Sequence, residues 1–252
     1  DGREAPVRAG AAAGLAQGPR RGAWSPAMEM PVLALPPLRA RPYAPPEGLP
    51  VLHADDALLI VDKPSGLLTV PGREPELADC VEARARAVWP EARIVHRLDM
   101  DTSGVLALAR TPQAQRHLGL QFERRHLRKT YIARVAGSMP EARGVVDLPL
   151  MTDWPNRPRQ KPAAEGRPAR TEWEVLAREP GATRLRLTPL TGRTHQLRVH
   201  LAALGRPILG DALYGDEAVY RAAPRLQLHA ETLVLRHPEG GRETAFRAPC
   251  PF

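Results

Sequence analysis

The stretch HRLDMDTSG, residues 96–104, sets His96, Arg97, Asp99 and Asp101 against short hydroxyl residues, between Ile94-Val95 and the apolar run VLALA. A carboxylate fixed in a tight turn can act as a nucleophile or as a general acid or base. The same short residues, Thr102, Ser103 and Gly104, can also bond the local backbone, in which case Asp99 only satisfies its own turn. Both uses are open on local grounds. Three more polar clusters raise the same choice. Lys63 follows an apolar strand in DKPSG and ends beside a Pro-Ser-Gly turn. Tyr131 lies in the alternating segment KTYIARV, where a lone Tyr commonly packs in a core. In LTGRTHQLRVHLAALGRPILGD, residues 190–211, His195 and Arg198 share a helical face apart from the Leu197/Leu201/Leu204 stripe. Such a helix can bury one face and deliver a guanidinium to a carboxylate along the other.

The elements that would position these groups are short. VLHADDALLIVDKPSG reads as two extended segments ending in a turn. Residues 76–88 have helical character. GVLALAR reads as a buried strand, and Thr111 with Pro112 opens a helix running to about Arg125. KTYIARVAG, RTEWEVLARE and TRLRLTPL alternate as strands, and THQLRVHLAALG is a short helix that Gly205 ends. Connections are mostly too short for repeated βαβ crossovers. The expected fold is α+β around a mixed, mostly antiparallel sheet with flanking helices.

Composition sets limits. The chain has 252 residues and a formal charge of +8. Cys80 and Cys250 form no CxxC or Cys/His cluster, so neither a disulfide framework nor a metal site is expected, and a reducing cytoplasm fits. No run approaches the roughly 18 apolar residues of a membrane span. The only lysines are Lys63, Lys129 and Lys161, an arginine skew that a GC-rich genome also produces. The charge permits an RNA partner without demonstrating one. Residues 1–45, rich in Ala, Gly, Arg and Pro, are expected to form a disordered tail, and residues 46–252 a single catalytic domain.

Taken together, HRLDMDTSG, KPSG, KTYIARV and GRTHQLRVHLAALGRPILGD resemble the RluA family of pseudouridine synthases, from about Leu49 to Phe252. The resemblance implies the pseudouridine synthase fold without an S4 domain, and a cofactor-free isomerisation of uridine. It implies that Asp99 is the catalytic aspartate, that Tyr131 stacks on the target base and helps remove its C5 proton, and that Arg198 pairs with the carboxylate. Arg97 would fill the space left by a flipped base. VDLPLMTDWPNRPRQK, LHAETL and FRAP look most like members that modify both a 23S rRNA loop and tRNA anticodon stem-loops. Lys63, Arg128, Lys129, Arg157, Arg159, Lys161, Arg193 and His195 are the expected RNA contacts. The working form is expected to be a cytoplasmic monomer.

Overall fold

The computed structural model describes residues 29–39 and 41–252. Among these, ten strands form one sheet: β1 (Val51–Ala54), β2 (Leu58–Lys63), β3 (Arg93–Ile94), β4 (Ser103–Ala109), β5 (Arg128–Ala136), β6 (Arg143–Asp147), β9 (Arg170–Glu179), β10 (Ala182–Pro189), β11 (Leu228–Arg236) and β12 (Glu243–Arg247). The spatial order is β1-β2-β4-β11-β5-β10-β9-β6, with β12 on β11 and β3 on β4. A separate hairpin joins β7 (Leu150–Thr152) to β8 (Gln160–Pro162). The helices are α1 (Val81–Val88), α2 (Pro112–Arg124), α3 (Gln196–Ala203) and α4 (Glu217–Arg221). The α+β expectation holds: among the strand pairs only β4–β11 is parallel.

Period-two alternation explains how the first half is covered on both faces. Leu58, Ile60, Val105 and Ala107 point into a cluster with Ala114 and Leu118 of α2. Leu59, Val61, Leu106 and Leu108 point the other way, onto Val81 and Ala85 of α1. All seven residues of β4 are therefore buried. The second half packs Ala133, Val135, Leu185 and Leu187 against Leu197 and Leu201 of α3. Helix α2 starts as its sequence predicts, with the Thr111 hydroxyl accepting the Ala114 N–H at 3.0 Å.

The two halves meet where β11 lies beside β4, with His229 opposite Ser103 and Ala230 opposite Gly104. Gly104 has φ +111°, and a Cβ there would stand 2.2 Å from the Ala230 carbonyl oxygen. No other residue fits that approach. Ser103 Oγ contacts His229 Nδ1 at 2.8 Å, and His229 Nε2 donates to the Ala248 carbonyl at 2.9 Å.

The expected tail differs along its length. Residues 1–28 and 40 lie outside the described residues, but 29–39 and 41–45 form an extended strap packed on the domain. Leu33 and Leu35 join Val199 and Tyr214. Arg39 donates to the Ala212 and Gly215 carbonyls. The Tyr43 hydroxyl donates to the Asp79 carbonyl at 2.6 Å and accepts the Leu68 N–H at 3.0 Å. These scattered apolar and polar anchors lack the periodicity that marks a regular element, so composition alone read the strap as structureless.

Candidate active site

Asp99 sits in the loop between β3 and β4, and that loop is clamped through its backbone. Leu98 is buried, and the Thr69 hydroxyl both donates to its carbonyl (2.8 Å) and accepts its N–H (3.2 Å). Met100 O accepts the Gly66 N–H at 2.9 Å and Lys63 Nζ at 2.8 Å. The Ser65 hydroxyl donates to Asp101 O at 2.6 Å, and Arg41 holds the Asp101 carboxylate at 2.9 Å. Thr102 N–H closes the turn on Asp99 O at 3.1 Å. KPSG is thus the bed of the Asp99 loop. The Asp99 carboxylate remains a quarter exposed, with Arg198 Nη1 at 3.8 Å, beyond hydrogen-bond length.

Arg198 lies on α3, whose entry is built by Gln196. The Gln196 side-chain oxygen accepts the Thr191 hydroxyl (2.7 Å) and the Arg193 N–H (3.0 Å), while its amide donates to Arg170 O and Thr171 Oγ1. His195 occupies the N-cap with φ 53°. Sequence reasoning gave Arg198 one carboxylate; the structure gives it two. Its bidentate partner is Asp211, at 2.8 and 2.7 Å, and Asp211 also accepts the N–H groups of Leu213 and Tyr214. Burial opposes the charge on Arg198, but Asp211 beside it holds the guanidinium above its usual range. Asp211 responds in kind: burial pushes its carboxyl up, and Arg198 more than offsets this and holds it low.

Tyr214 completes the floor, its ring under the Arg198 guanidinium at 5.3 Å. Its hydroxyl accepts the Gln160 N–H at 2.8 Å and lies 2.8 Å from His195 Nδ1. The hydroxyl proton is then free to go to Nδ1, which leaves the His195 ring proton on Nε2. Burial lowers the His195 pKa, against the pull of the Asp99 charge. Tyr131, on β5 opposite Ala230 and Leu187, packs against the core clusters of both halves. Burial first, and then the Asp99 charge, raise its phenol pKa.

The fold therefore gathers Asp99, Tyr131, His195 and Arg198 from three separate segments: the β3–β4 loop, β5 and the start of α3. Of the expected RNA contacts, Arg97 and Arg157 are exposed, and Arg157 lies over the exposed Trp154 ring at 5.1 Å. Lys129 and Lys161 are half-buried. A Cβ on Gly192 would stand 3.5 Å from Lys129 Nζ, so Lys129 borders the loop before α3. Arg193 donates to Pro168 O, and its pKa is lowered by burial and then by the charges of Arg167 and Arg125, which mark a basic cluster. Arg128 is exposed and forked onto Glu243. Two assignments are corrected. Lys63 has no exposed surface and spends its three protons on the carbonyls of Pro64, Leu67 and Met100. Arg159 is 3% exposed and donates to Leu213 O and Pro36 O. Neither reaches RNA. Asp211, Tyr214, Gln196 and Thr69 were missed, because none stands at a position that periodicity or spacing marks as a partner of the site.

The site is thus a loop-held carboxylate beside an arginine and a tyrosine, at the seam of a mixed sheet. The family model for RNA pseudouridylate synthase matches residues 57–203, and the chain belongs to that family. It is 51% identical over 214 residues to the dual-specificity RNA pseudouridine synthase RluA of Escherichia coli strain K12, covering 83% of this chain and 98% of that one. It is 50% identical over 204 residues to the same-named protein of Yersinia pestis, covering 80% and 99%. Among solved structures, human RNA pseudouridylate synthase domain containing 1 aligns with TM-score 0.69 at 29% identity, over 82% of this chain and 85% of that one. The chain is an RNA pseudouridine synthase, an isomerase.

Proposed function

We propose that this enzyme isomerises uridines in short stem-loops of 23S rRNA and of tRNA anticodon arms, as a cytoplasmic monomer, with Asp99 as its catalytic residue. The observation that carries the assignment is the shared guanidinium. Asp211 already neutralises Arg198, so the 3.8 Å contact orients Asp99 without cancelling its charge. A carboxylate so placed is available as a nucleophile or a general base.

The reaction breaks the N1–C1′ bond and forms C1′–C5; N1 gains a proton and C5 loses one, so mass is unchanged. Asp99 serves either by attacking covalently or by taking the C2′ proton to give a glycal. Tyr131, a phenol that burial and then the Asp99 charge hold still more firmly in its neutral form, offers a ring for the detached base to stack on. The target must first leave its helix, at about a few kcal/mol, and Arg97 is exposed next to Asp99 to fill the gap. Arg157 over Trp154, Lys161 and the Arg125/Arg167/Arg193 cluster supply phosphate and stacking contacts for a loop.

Single-turnover assays of Asp99→Asn on an anticodon stem-loop test the reading. The expected outcome is RNA binding within about threefold of wild type and no pseudouridine. Product formation near the wild-type rate would remove Asp99 from the chemistry, and free uracil from the wild type would make the reaction a hydrolysis. A requirement for whole ribosomal particles, with no turnover on small stem-loops, would overturn the substrate assignment.

A further inference from the structure

The catalytic groups occupy one end of β2, β4 and β11. At the other end, the sequence-distant residues His53, Asp55 and His237 converge, each offering one ligand atom, with all three atoms within 4.8 Å of one another. We propose that these three side chains bind a zinc ion, which staples the turn before β2 to the end of β11. Reading the sequence for Cys/His spacing could not find this site, because only the fold brings residues 53–55 to residue 237.

Donor type and convergence support the site; tetrahedral zinc ligands stand about 3.3–3.6 Å apart, so the direct contacts of Asp55 Oδ2 open as the ion enters. Two imidazoles and one carboxylate are a standard zinc set, bound at about 2.0–2.2 Å. One oxygen, Asp55 Oδ2, lies 2.5 Å from His53 Nε2 and 2.9 Å from His237 Nε2. The other, Oδ1, is fixed by the N–H groups of Ala57 and Leu58 at 2.9 and 2.8 Å, so Oδ2 is aimed between the rings. A zinc-bound histidine is normally oriented by a hydrogen bond from its other nitrogen to a carbonyl. His237 Nδ1 lies 3.0 Å from the Glu239 carbonyl oxygen and 3.1 Å from the Glu239 N–H, so the Glu239 backbone fixes the ring. The His53 ring is seated on Phe246 of β12, with centroids 5.3 Å apart. The three side chains are 39, 32 and 17% exposed, so the site is open to the ion and to a completing water. The neighbouring cation, Arg110, donates to the Asp55 backbone carbonyl and is paired with Glu91.

The test uses the full, untagged chain stripped with EDTA and titrated with zinc chloride by calorimetry, and with cobalt by visible absorption. One equivalent should bind, raising the thermal midpoint, and cobalt should give d–d bands of a nitrogen/oxygen site. His53→Gln and His237→Gln should each weaken zinc binding at least tenfold and abolish the rise in midpoint. Pseudouridine formation should be equal with and without zinc in all three proteins, which also certifies that the variants fold. Failure of the wild type to bind zinc, or binding equally tight in both variants, would overturn the site.

Discussion

Arg198 stands between two carboxylates with different tasks, and a pair of substitutions separates them. Asp211→Ala leaves a fully buried guanidinium without its bidentate partner, a change that costs roughly 3–5 kcal/mol. Urea denaturation should show that loss, and turnover should fall with it as Arg198 turns fully to Asp99. Arg198→Lys keeps the charge but loses the planar fork. It should recover only part of the activity that Arg198→Ala removes, and full activity in the Lys protein would mean the fork is dispensable. Arg198 was legible beforehand because helical spacing put it on a polar face. Asp211 was not, because it lies in an irregular segment where no periodicity points at a partner. Lys63 was misread for the opposite reason: a Lys beside a Pro-Gly turn looks solvated unless one knows that three carbonyls converge on it.

Strands whose alternation is clean were readable as they stand. RTEWEVLARE coincides with β9, with Thr171 and Trp173 buried between exposed Glu172 and Glu174. LHAETLVLR was not read as a strand, because β11 is inserted between β4 and β5 by pairings far apart in sequence. Gly104 is where that insertion is most constrained. Gly104→Ala would strain a positive φ and drive a methyl into Ala230, so little soluble, folded protein is expected from its expression. Two histidines in the same framework, the half-buried His96 and the fully buried His200, set an acid limit. Burial pushes His96 down to about 3 and His200 to about 4; His96 accepts the Ala107 N–H through Nε2, and His200 bridges Thr171 and Leu148. Between these values and the unfolded pKa near ~6.5 the unfolded chain binds more protons, so stability falls as pH drops through that window. Denaturation at pH 7 and pH 5 should differ by about 1–2 kcal/mol for each histidine, and His200→Gln should shrink the difference.

The strap makes the N-terminal segment a part of both halves: Tyr43 anchors it to the first, Leu33 and Leu35 to the second, and Arg41 reaches the Asp99 loop itself. A chain beginning at residue 46 should lose at least about 2 kcal/mol, by the apolar area uncovered, and its midpoint measured by calorimetry should drop accordingly. The excess of positive charge bears on the substrate. Turnover on a stem-loop should decline as salt rises from 50 to 200 mM, since each phosphate contact releases counterions. Arg97→Ala should slow a stacked target more than a pre-unstacked one.

The meeting of the halves at β4 and β11 has a kinetic corollary. Asp99 and Arg198 come from segments roughly a hundred residues apart, and loop closure over such distances is slow. The first-half clusters around β2, β4 and the helices α1 and α2 draw largely on neighbouring sequence, so they can condense while β11 is still unpaired. Such a species would have most of its helix and no shared guanidinium near Asp99. During refolding, then, far-ultraviolet signal should return ahead of enzymatic turnover, and the lag between them would time the arrival of β11.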